Sequence, residues 1–282
     1  MVDILVSIVV YHTEPAILER CISSILQETL LVRVVVIDNS TDNTLERSCQ
    51  KLGVEYFHLL KNVGYGTGHN VAIENSIVEK IPYHLVINPD VYFSAGVLSE
   101  LKKFCDADKK IGLITPKVLY PDGCIQHNCR LIPSFFDLFI RRFLPKNWFS
   151  NYRIKNEFRF SNYDTIMEVP FISGCFMFFQ TAALKQIGQF DERFFLYMED
   201  VDISRRMYAK YKNIYFPKVS VFHDCQRSSY HLGHAFLYHV HSALKYFCKW
   251  GFIFDKERSI LNKRALDFFK NSYQFHNEGK KV

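Results

Sequence analysis

Apolar and polar positions alternate in blocks along the first half of the chain. Residues 4–11, Ile-Leu-Val-Ser-Ile-Val-Val-Tyr, form a nearly continuous apolar and β-branched run, the pattern of a parallel strand covered on both faces. Thr13-Glu14-Pro15 then supplies a helix start, and Ile17, Leu18, Cys21, Ile22, Ile25 and Leu26 recur at helical spacing. The same order returns downstream: a strand over 31–37 closed by Asp38-Asn39-Ser40-Thr41-Asp42, a helix over 43–52, and a strand over 54–60. A helix opened near Gly68 and continuing to Val78 follows, and then the short buried run Leu85-Val86-Ile87. Strands alternating with helices of about 10–15 residues predict βαβ units and a mostly parallel sheet flanked by helices. Residues 1–120 are thus expected to be an α/β layer of nucleotide-binding type.

Beyond this the rhythm changes. The apolar segment 111–120 runs into Pro121-Asp122-Gly123, a tight-turn signal that predicts reversal into an antiparallel strand. Residues 130–168 carry no clear period and read as a loop or insertion. Strand character returns over 169–179, with Gly174 marking a bulge or a close backbone approach. A brief helix over 182–188, an apolar lead-in over 190–198, a helix opening on Glu199-Asp200-Val201-Asp202 and running to about Tyr211, and a strand over 214–222 ending on His223-Asp224 come next. Helical segments over 232–249 and 255–270 complete the pattern. The expected organisation is one domain over 1–230, divided at 120/121 into a nucleotide-binding half and a second half, with a C-terminal helical extension over 231–282.

Composition narrows the classes. A chain of 282 residues buries a sizeable core. No apolar run approaches the roughly 18–20 residues of a membrane span, and the chain enters its first strand without a basic leader, so the expectation is a protein that stays in the cytosol. Eight cysteines without a C-x-x-C pair suggest packed thiols rather than disulfides or a structural zinc site. The net charge of +6 is concentrated in 141–159 and 245–270, where Lys and Arg interleave with aromatics, a pattern compatible with peripheral membrane contact or phosphate-bearing substrates. Nucleic acid is not expected, for want of a helix-turn-helix, zinc-finger or RNP-like signature.

Candidate chemistry sits where apolar runs end. Asn88-Pro89-Asp90 stops a strand, since Pro89 cannot supply a ladder N–H. A carboxylate beside an amide oxygen at a parallel strand's carboxyl end suits Mg²⁺ or Mn²⁺, while an ordinary turn uses the same residues. Asp38, on the same rim, can accept hydrogen bonds from a base or ribose, or serve as a turn residue. The glycines of Asn62-Val63-Gly64-Tyr65-Gly66-Thr67-Gly68-His69-Asn70 let backbone approach a ligand at a helix N-terminus. Their spacing is not the dinucleotide fingerprint, and a plain loop is the other reading. Glu199-Asp200 follows Phe194–Met198, where one carboxylate can be desolvated into a general base; complementing the helix dipole is the alternative, and is the role assigned to Asp202. His223 reads as a metal ligand or as a satisfied buried histidine.

In their order, Ser7–Tyr11, Val36–Ser40, the 62–70 loop, Asn88-Pro89-Asp90, the Gly174 strand and Phe194–Asp202 resemble the family-2 glycosyltransferases of GT-A fold. Within that family the chain is similar to the bacterial rhamnosyltransferase-like branch of cell-surface polysaccharide synthesis. The resemblance implies a Rossmann-like, mostly parallel sheet with a small antiparallel acceptor-side sheet and C-terminal helices. It implies inverting transfer from a nucleotide-sugar donor, dTDP-rhamnose first and a UDP-hexose next. The acceptor it implies is a glycan or lipid-linked oligosaccharide in O-antigen, capsule or related synthesis, handled in the cytoplasm or peripherally on the inner face of the membrane. Donor contacts would fall to Val10, Tyr11, Asp38, Asn39, Asn62, Gly64, Tyr65, Gly68, Asn70 and Asn88, and Mg²⁺ or Mn²⁺ to Asp90 and His223. Asp200 would be the catalytic base, with Glu199 shaping the acceptor site. Asn88 stands where the family has the first Asp of Asp-x-Asp, and the missing charge is expected to weaken cation binding. A sugar-nucleotide pyrophosphorylase and a non-catalytic binding module are the alternatives; the chain lacks the former's N-terminal Gly-rich segment ending in a basic residue.

Overall fold

The computed structural model describes residues 1–138, 150–225 and 234–278, with side chains described throughout except at 150, 234–235 and 271–278. Residues 139–149, and with them part of the expected aromatic and basic stretch, lie outside the described residues.

β1 (Ile4–Val10) is buried at every position, because alternate side chains feed two different layers. Ile4, Val6, Ile8 and Val10 pack with Leu18, Cys21, Ile22 and Ile25 of α1 (Pro15–Leu26) and with Leu98 and Leu101 of α4 (Val97–Ala107). Leu5 and Val9 face Ala72 of α3 (Tyr65–Val78) on the other side. Ser7 is the polar exception in this run. Its hydroxyl lies 2.7 Å from His69 Nδ1 and 2.9 Å from His84 Nε2, and His84 Nδ1 lies 2.7 Å from the Ser76 hydroxyl, so a buried polar chain fastens α3 to the sheet. Burial pushes the His84 imidazole down to about 3 and His69 down likewise, which keeps both neutral.

The main sheet adds β2 (Val32–Asp38), β3 (Glu55–His58), β4 (Tyr83–Ile87), β5 (Val91–Tyr92), β6 (Ile111–Leu119), β8 (Met167–Glu168), β10 (Phe176–Gln180) and β11 (Lys212–His223). Its order is β3-β2-β1-β4-β10-β6-β11-β5, with β8 also on β11. β3, β2, β1 and β4 are parallel, β10 is antiparallel to both β4 and β6, and β11 is parallel to β6. The carboxyl ends of β1, β2, β4 and β11 and the start of β10 therefore share one rim. α2 (Glu46–Leu52) completes the first half.

Two expectations are corrected here. The 121–123 turn produces only an isolated antiparallel bridge, Leu119 to Ile125, and the strand that follows, β7 (Cys129–Arg130), pairs instead with β9 (Phe171–Ile172) in a separate two-stranded sheet. The single strand expected over 169–179 is two, β9 and β10, because the chain leaves one sheet and enters the other through Ser173–Cys175. The insertion is partly ordered, with α5 (Ser150–Asn156) and a 3₁₀ turn at Arg159–Ser161. α6 (Thr181–Ile187) and α7 (Glu199–Lys210) lead to β11. α8 (His234–Trp250) and α9 (Lys256–Glu278) then bury Tyr246, Phe247, Leu261 and Phe269 in the same apolar cluster as Phe194, Val201 and Tyr208.

Candidate active site

Pro89 ends the pairing of β4, so Asn88 and Asp90 leave the sheet at the rim. β11 ends beside them, which puts His223 Nε2 3.3 Å from Asp90 Oδ1. That oxygen is buried and makes no hydrogen bond among the described residues; the imidazole is near enough for attraction but not aligned for a hydrogen bond. No three His, Cys, Asp or Glu side chains converge among the described residues as a cage made of protein alone would require. An orphaned carboxylate oxygen facing a histidine nitrogen is a donor pair that would suit a divalent cation. Asn88 is differently engaged: its Oδ1 accepts from the Tyr65 hydroxyl at 3.1 Å.

No signal along the chain marks Gln126, which holds His223. Gln126 Nε2 donates to the His223 carbonyl at 2.8 Å, so its Oε1 is the atom 2.9 Å from His223 Nδ1. An amide oxygen only accepts, so Nδ1 carries the proton. Burial opposes charging the ring, yet Cys175 and Asp90 push His223 up to about 11, so its Nε2 offers a lone pair to a cation only after giving up a proton of its own.

Around the 62–70 loop several expectations change. Gly64 has φ +90°, and a Cβ there would overlap the Phe195 carbonyl; one at Gly68 would come within 2.9 Å of the Val9 side chain. These glycines bring α3 against the protein itself rather than against a ligand. Asn70 is spent likewise, donating to the Phe190 carbonyl and accepting from its N–H, both at 3.0 Å. Asn39 donates to Gly64 O at 3.1 Å, and Asn62 Oδ1 accepts from the Gly64 N–H at 2.9 Å. Asp38 lies beneath the rim, with no exposed surface, accepting from the Ser40 N–H at 2.8 Å and the Tyr56 hydroxyl at 2.7 Å. Val10 is buried, whereas the Tyr11 ring is 55% exposed at the rim and open to a stacking partner.

The acidic pair opens α7. Tyr197 and Met198, both at φ 68°, turn the chain through two successive left-handed positions, a conformation of sparse population for non-glycine residues that recurs at functional sites. The turn aims Asp200 at the start of β10, where its Oδ2 accepts from the Gly174 N–H at 3.0 Å and its Oδ1 from Val201 at 2.8 Å. Burial raises the Asp200 carboxyl above its usual range, against the pull of those two N–H groups and of the Arg130 charge. Burial and then the charge of Asp200 push Glu199 up to about 8, and Glu199 Oε2 is buried with no hydrogen-bond partner among the described residues. Glu199 thus keeps its proton at neutral pH, and burial works against charging Asp200 beside it. The Tyr65 hydroxyl, expected among the donor contacts, joins the two edges, lying 2.7 Å from the Gly174 carbonyl as well as against Asn88.

Asp202 departs from its expected dipole role. Fully buried, it accepts from Arg206 Nε at 2.8 Å, Lys249 Nζ at 2.7 Å and Trp250 Nε1 at 2.8 Å.

Comparison with known proteins places these features in company. The model of the family described as Glycosyl transferase family 2 matches residues 7–188. An N-acetylglucosaminyl-diphospho-decaprenol L-rhamnosyltransferase of Mycobacterium tuberculosis is 30% identical over 246 residues, covering 81% of this chain and 78% of the relative. Rhamnosyltransferase WbbL of Escherichia coli is 23% identical, covering 92% and 96%. Among solved structures, GalNAc-T7 with UDP, GalNAc and Mn²⁺ superposes with TM-score 0.58 at 14% identity, covering 79% of this chain and 44% of that one. The mannosyltransferase PcManGT of Pyrobaculum calidifontis, with GDP-Man and Mn²⁺, gives 0.55 at 14%, covering 81% and 58%.

Proposed function

The chain belongs to glycosyl transferase family 2 and has the GT-A fold, and we propose that it transfers a sugar, with inversion, from a nucleotide diphosphate donor to a hydroxyl of a lipid-linked glycan. Rhamnose from dTDP-rhamnose is the first donor and a UDP-hexose the second; the two rhamnosyltransferase relatives support that order. The setting is synthesis of a surface polysaccharide such as O-antigen or capsule.

One observation carries the reading: an orphaned Asp90 oxygen and a desolvated Asp200 stand on one rim, linked through Tyr65 and Gly174. Asp200 takes the acceptor proton as the acceptor oxygen bonds to the anomeric carbon, and the bond from that carbon to the diphosphate oxygen breaks. Glu199, neutral beside it, lines the acceptor side. Asp90 and His223 hold Mg²⁺ or Mn²⁺, which when bound offsets the charge of the departing diphosphate. Tyr11 borders the base, while Asp38, Asn39, Asn62, Gly64, Gly68 and Asn70 fix the loop and helix that bound the donor pocket.

Peripheral membrane contact is supported by one surface. Phe135, 5.7 Å from Phe252, stands with Phe136, Ile253 and Phe254, all exposed, Phe254 by 93%. No described helix is long and apolar enough to cross a membrane. The test is a thermal-shift panel of sugar nucleotides with and without Mn²⁺, followed by transfer to a prenyl-diphosphate-linked acceptor in anionic vesicles. dTDP-rhamnose with Mn²⁺ is expected to raise Tm most and to be consumed by vesicle-bound protein. No shift with any sugar nucleotide would sink the reading.

Gln126→Leu removes the acceptor that sets the His223 proton. Mn²⁺ affinity, read from the paramagnetic resonance of free Mn²⁺ with dTDP present, is expected to fall roughly 10-fold or more. Unchanged affinity would show that His223 needs no such orientation.

A further inference from the structure

Away from the donor rim, three arginines gather on one carboxylate. Glu157 is buried and lies 2.5 Å from Arg159, 3.9 Å from Arg153 and 4.0 Å from Arg130. Only Arg159 hydrogen-bonds to it, through Nε at 2.7 Å. Arg130 and Arg153 make no side-chain hydrogen bond among the described residues, and Arg130 Nε is wholly buried without a partner. Leaving a buried guanidinium donor unmatched is costly, so this geometry leaves a place for an anion.

The cluster is built, not incidental. The Tyr163 hydroxyl lies 3.0 Å from the Cys129 carbonyl and 2.8 Å from the Glu157 carbonyl, and the Leu131 N–H donates to Asn156 O at 2.9 Å, which clamps β7 to the end of α5. His127 beside it is pushed down, first by burial and then by the charge of Arg159, Arg130 and Arg153. It therefore adds no charge at neutral pH. Three guanidiniums against Glu157 leave a surplus of two positive charges within the cluster, part of which Arg130 spends on Asp200, and their side chains are 28–36% exposed.

Position gives the surplus a meaning. Arg130 pairs with Phe171 in the two-stranded sheet, the Ser173 N–H donates to Asn128 O at 2.9 Å, and the next N–H, of Gly174, donates to Asp200. The cluster thus borders the base on the side away from Asp90. We propose that Arg130, Arg153 and Arg159 seat the diphosphate of a lipid-linked acceptor, so that its sugar hydroxyl reaches Asp200. This rests on the transferase reading above. A diphosphate matches the surplus of two and offers oxygens for forked guanidinium contacts, and the relative at 30% identity is named for a diphospho-linked acceptor.

The test titrates geranyl diphosphate into protein already saturated with dTDP and Mn²⁺, so that the donor site is filled. Wild type is expected to bind it and not to bind geraniol. Arg153→Ala and Arg130→Gln are each expected to weaken binding about 10-fold, as loss of a charged hydrogen bond does, with dTDP affinity and Tm unchanged. Arg153, a third exposed and 3.9 Å from Glu157 without a hydrogen bond to it, is the substitution that spares the fold. Absence of binding by wild type, or affinity unaltered in both variants, overturns the proposal. Wild-type protein that fails to bind dTDP marks the separate failure of the transferase reading, on which this assignment depends.

Discussion

Asp200→Asn is expected to abolish transfer while donor binding survives. The amide keeps the size of the carboxylate and can still accept from the Gly174 N–H, so the link between α7 and the start of β10 remains. What it loses is proton affinity at the atom that faces the acceptor, and loss of a general base costs roughly 10²–10⁴-fold in rate. The check is kcat with dTDP-rhamnose beside the dissociation constant for dTDP. A rate within a few-fold of wild type would move the base elsewhere.

The pH profile makes the assignment sharper. Burial raises the Asp200 carboxyl, so the rate is expected to rise with pH through an ionisation above the ordinary carboxylate range. Glu199 then ionises near 8. Because the charge of Asp200 is one of the causes that raise Glu199, the two carboxyls titrate as a pair, and Glu199→Gln should remove the ionisation near 8 from the profile. The same substitution bears on stability. A carboxyl whose folded pKa is raised above its unfolded value costs stability as pH rises from about 4.5 to about 8, so Glu199→Gln gains most over wild type at alkaline pH.

Asp202→Ala is expected to be the most destabilising single change near the site. The carboxylate has no exposed surface and holds Lys249, Arg206 and the Trp250 N–H at 2.7–2.8 Å, bolting α7 to α8. Truncation takes one partner from each cation, Lys249 keeping Asp191 at 2.7 Å and Arg206 the Ile187 and Gln189 carbonyls at 2.7 Å, and leaves the Trp250 N–H unmatched; breaking such a buried pair costs about 3–5 kcal/mol. The partly exposed Lys249 and Arg206 recover some hydration, which favours the low end. At about 2–4 °C per kcal/mol for a chain of this size, Tm should fall by about 10 °C. A Tm within about 2 °C of wild type for Asp202→Ala would show that the hub is not holding the helix.

Much of the first half was legible because its signals are local. Apolar runs that end in polar turns put Asp38, Asn88 and Asp90 at strand ends, and parallel pairing brings strand ends of one kind to one rim. The acidic pair at 199–200 was legible for the same reason, as charge immediately after an aromatic run. Roles inside the 62–70 loop were not. A glycine that lets a ligand approach and one that lets a neighbouring segment approach look alike in sequence, and here Phe195 and Val9 fill the space. Asn70 read as a donor contact and Asp202 as a complement to the helix dipole, and they are in fact spent on Phe190 and on α8.

By itself, the sequence determined the βαβ alternation and the helix and strand placements of the first half, and which residue types stand where apolar runs stop, since all of these follow from the period of burial along a few neighbouring residues. Only the tertiary structure decided that β10 runs antiparallel between β4 and β6, that Gln126 orients His223 from a distant loop, and that Arg130, Arg153 and Arg159 share Glu157. An apolar run carries no direction, and a side chain's partner is chosen by packing across the sheet rather than by its neighbours in the chain. For that reason the chemistry of the donor rim was half visible in Asn88-Pro89-Asp90, while the groups that orient and extend it came into view only with the fold.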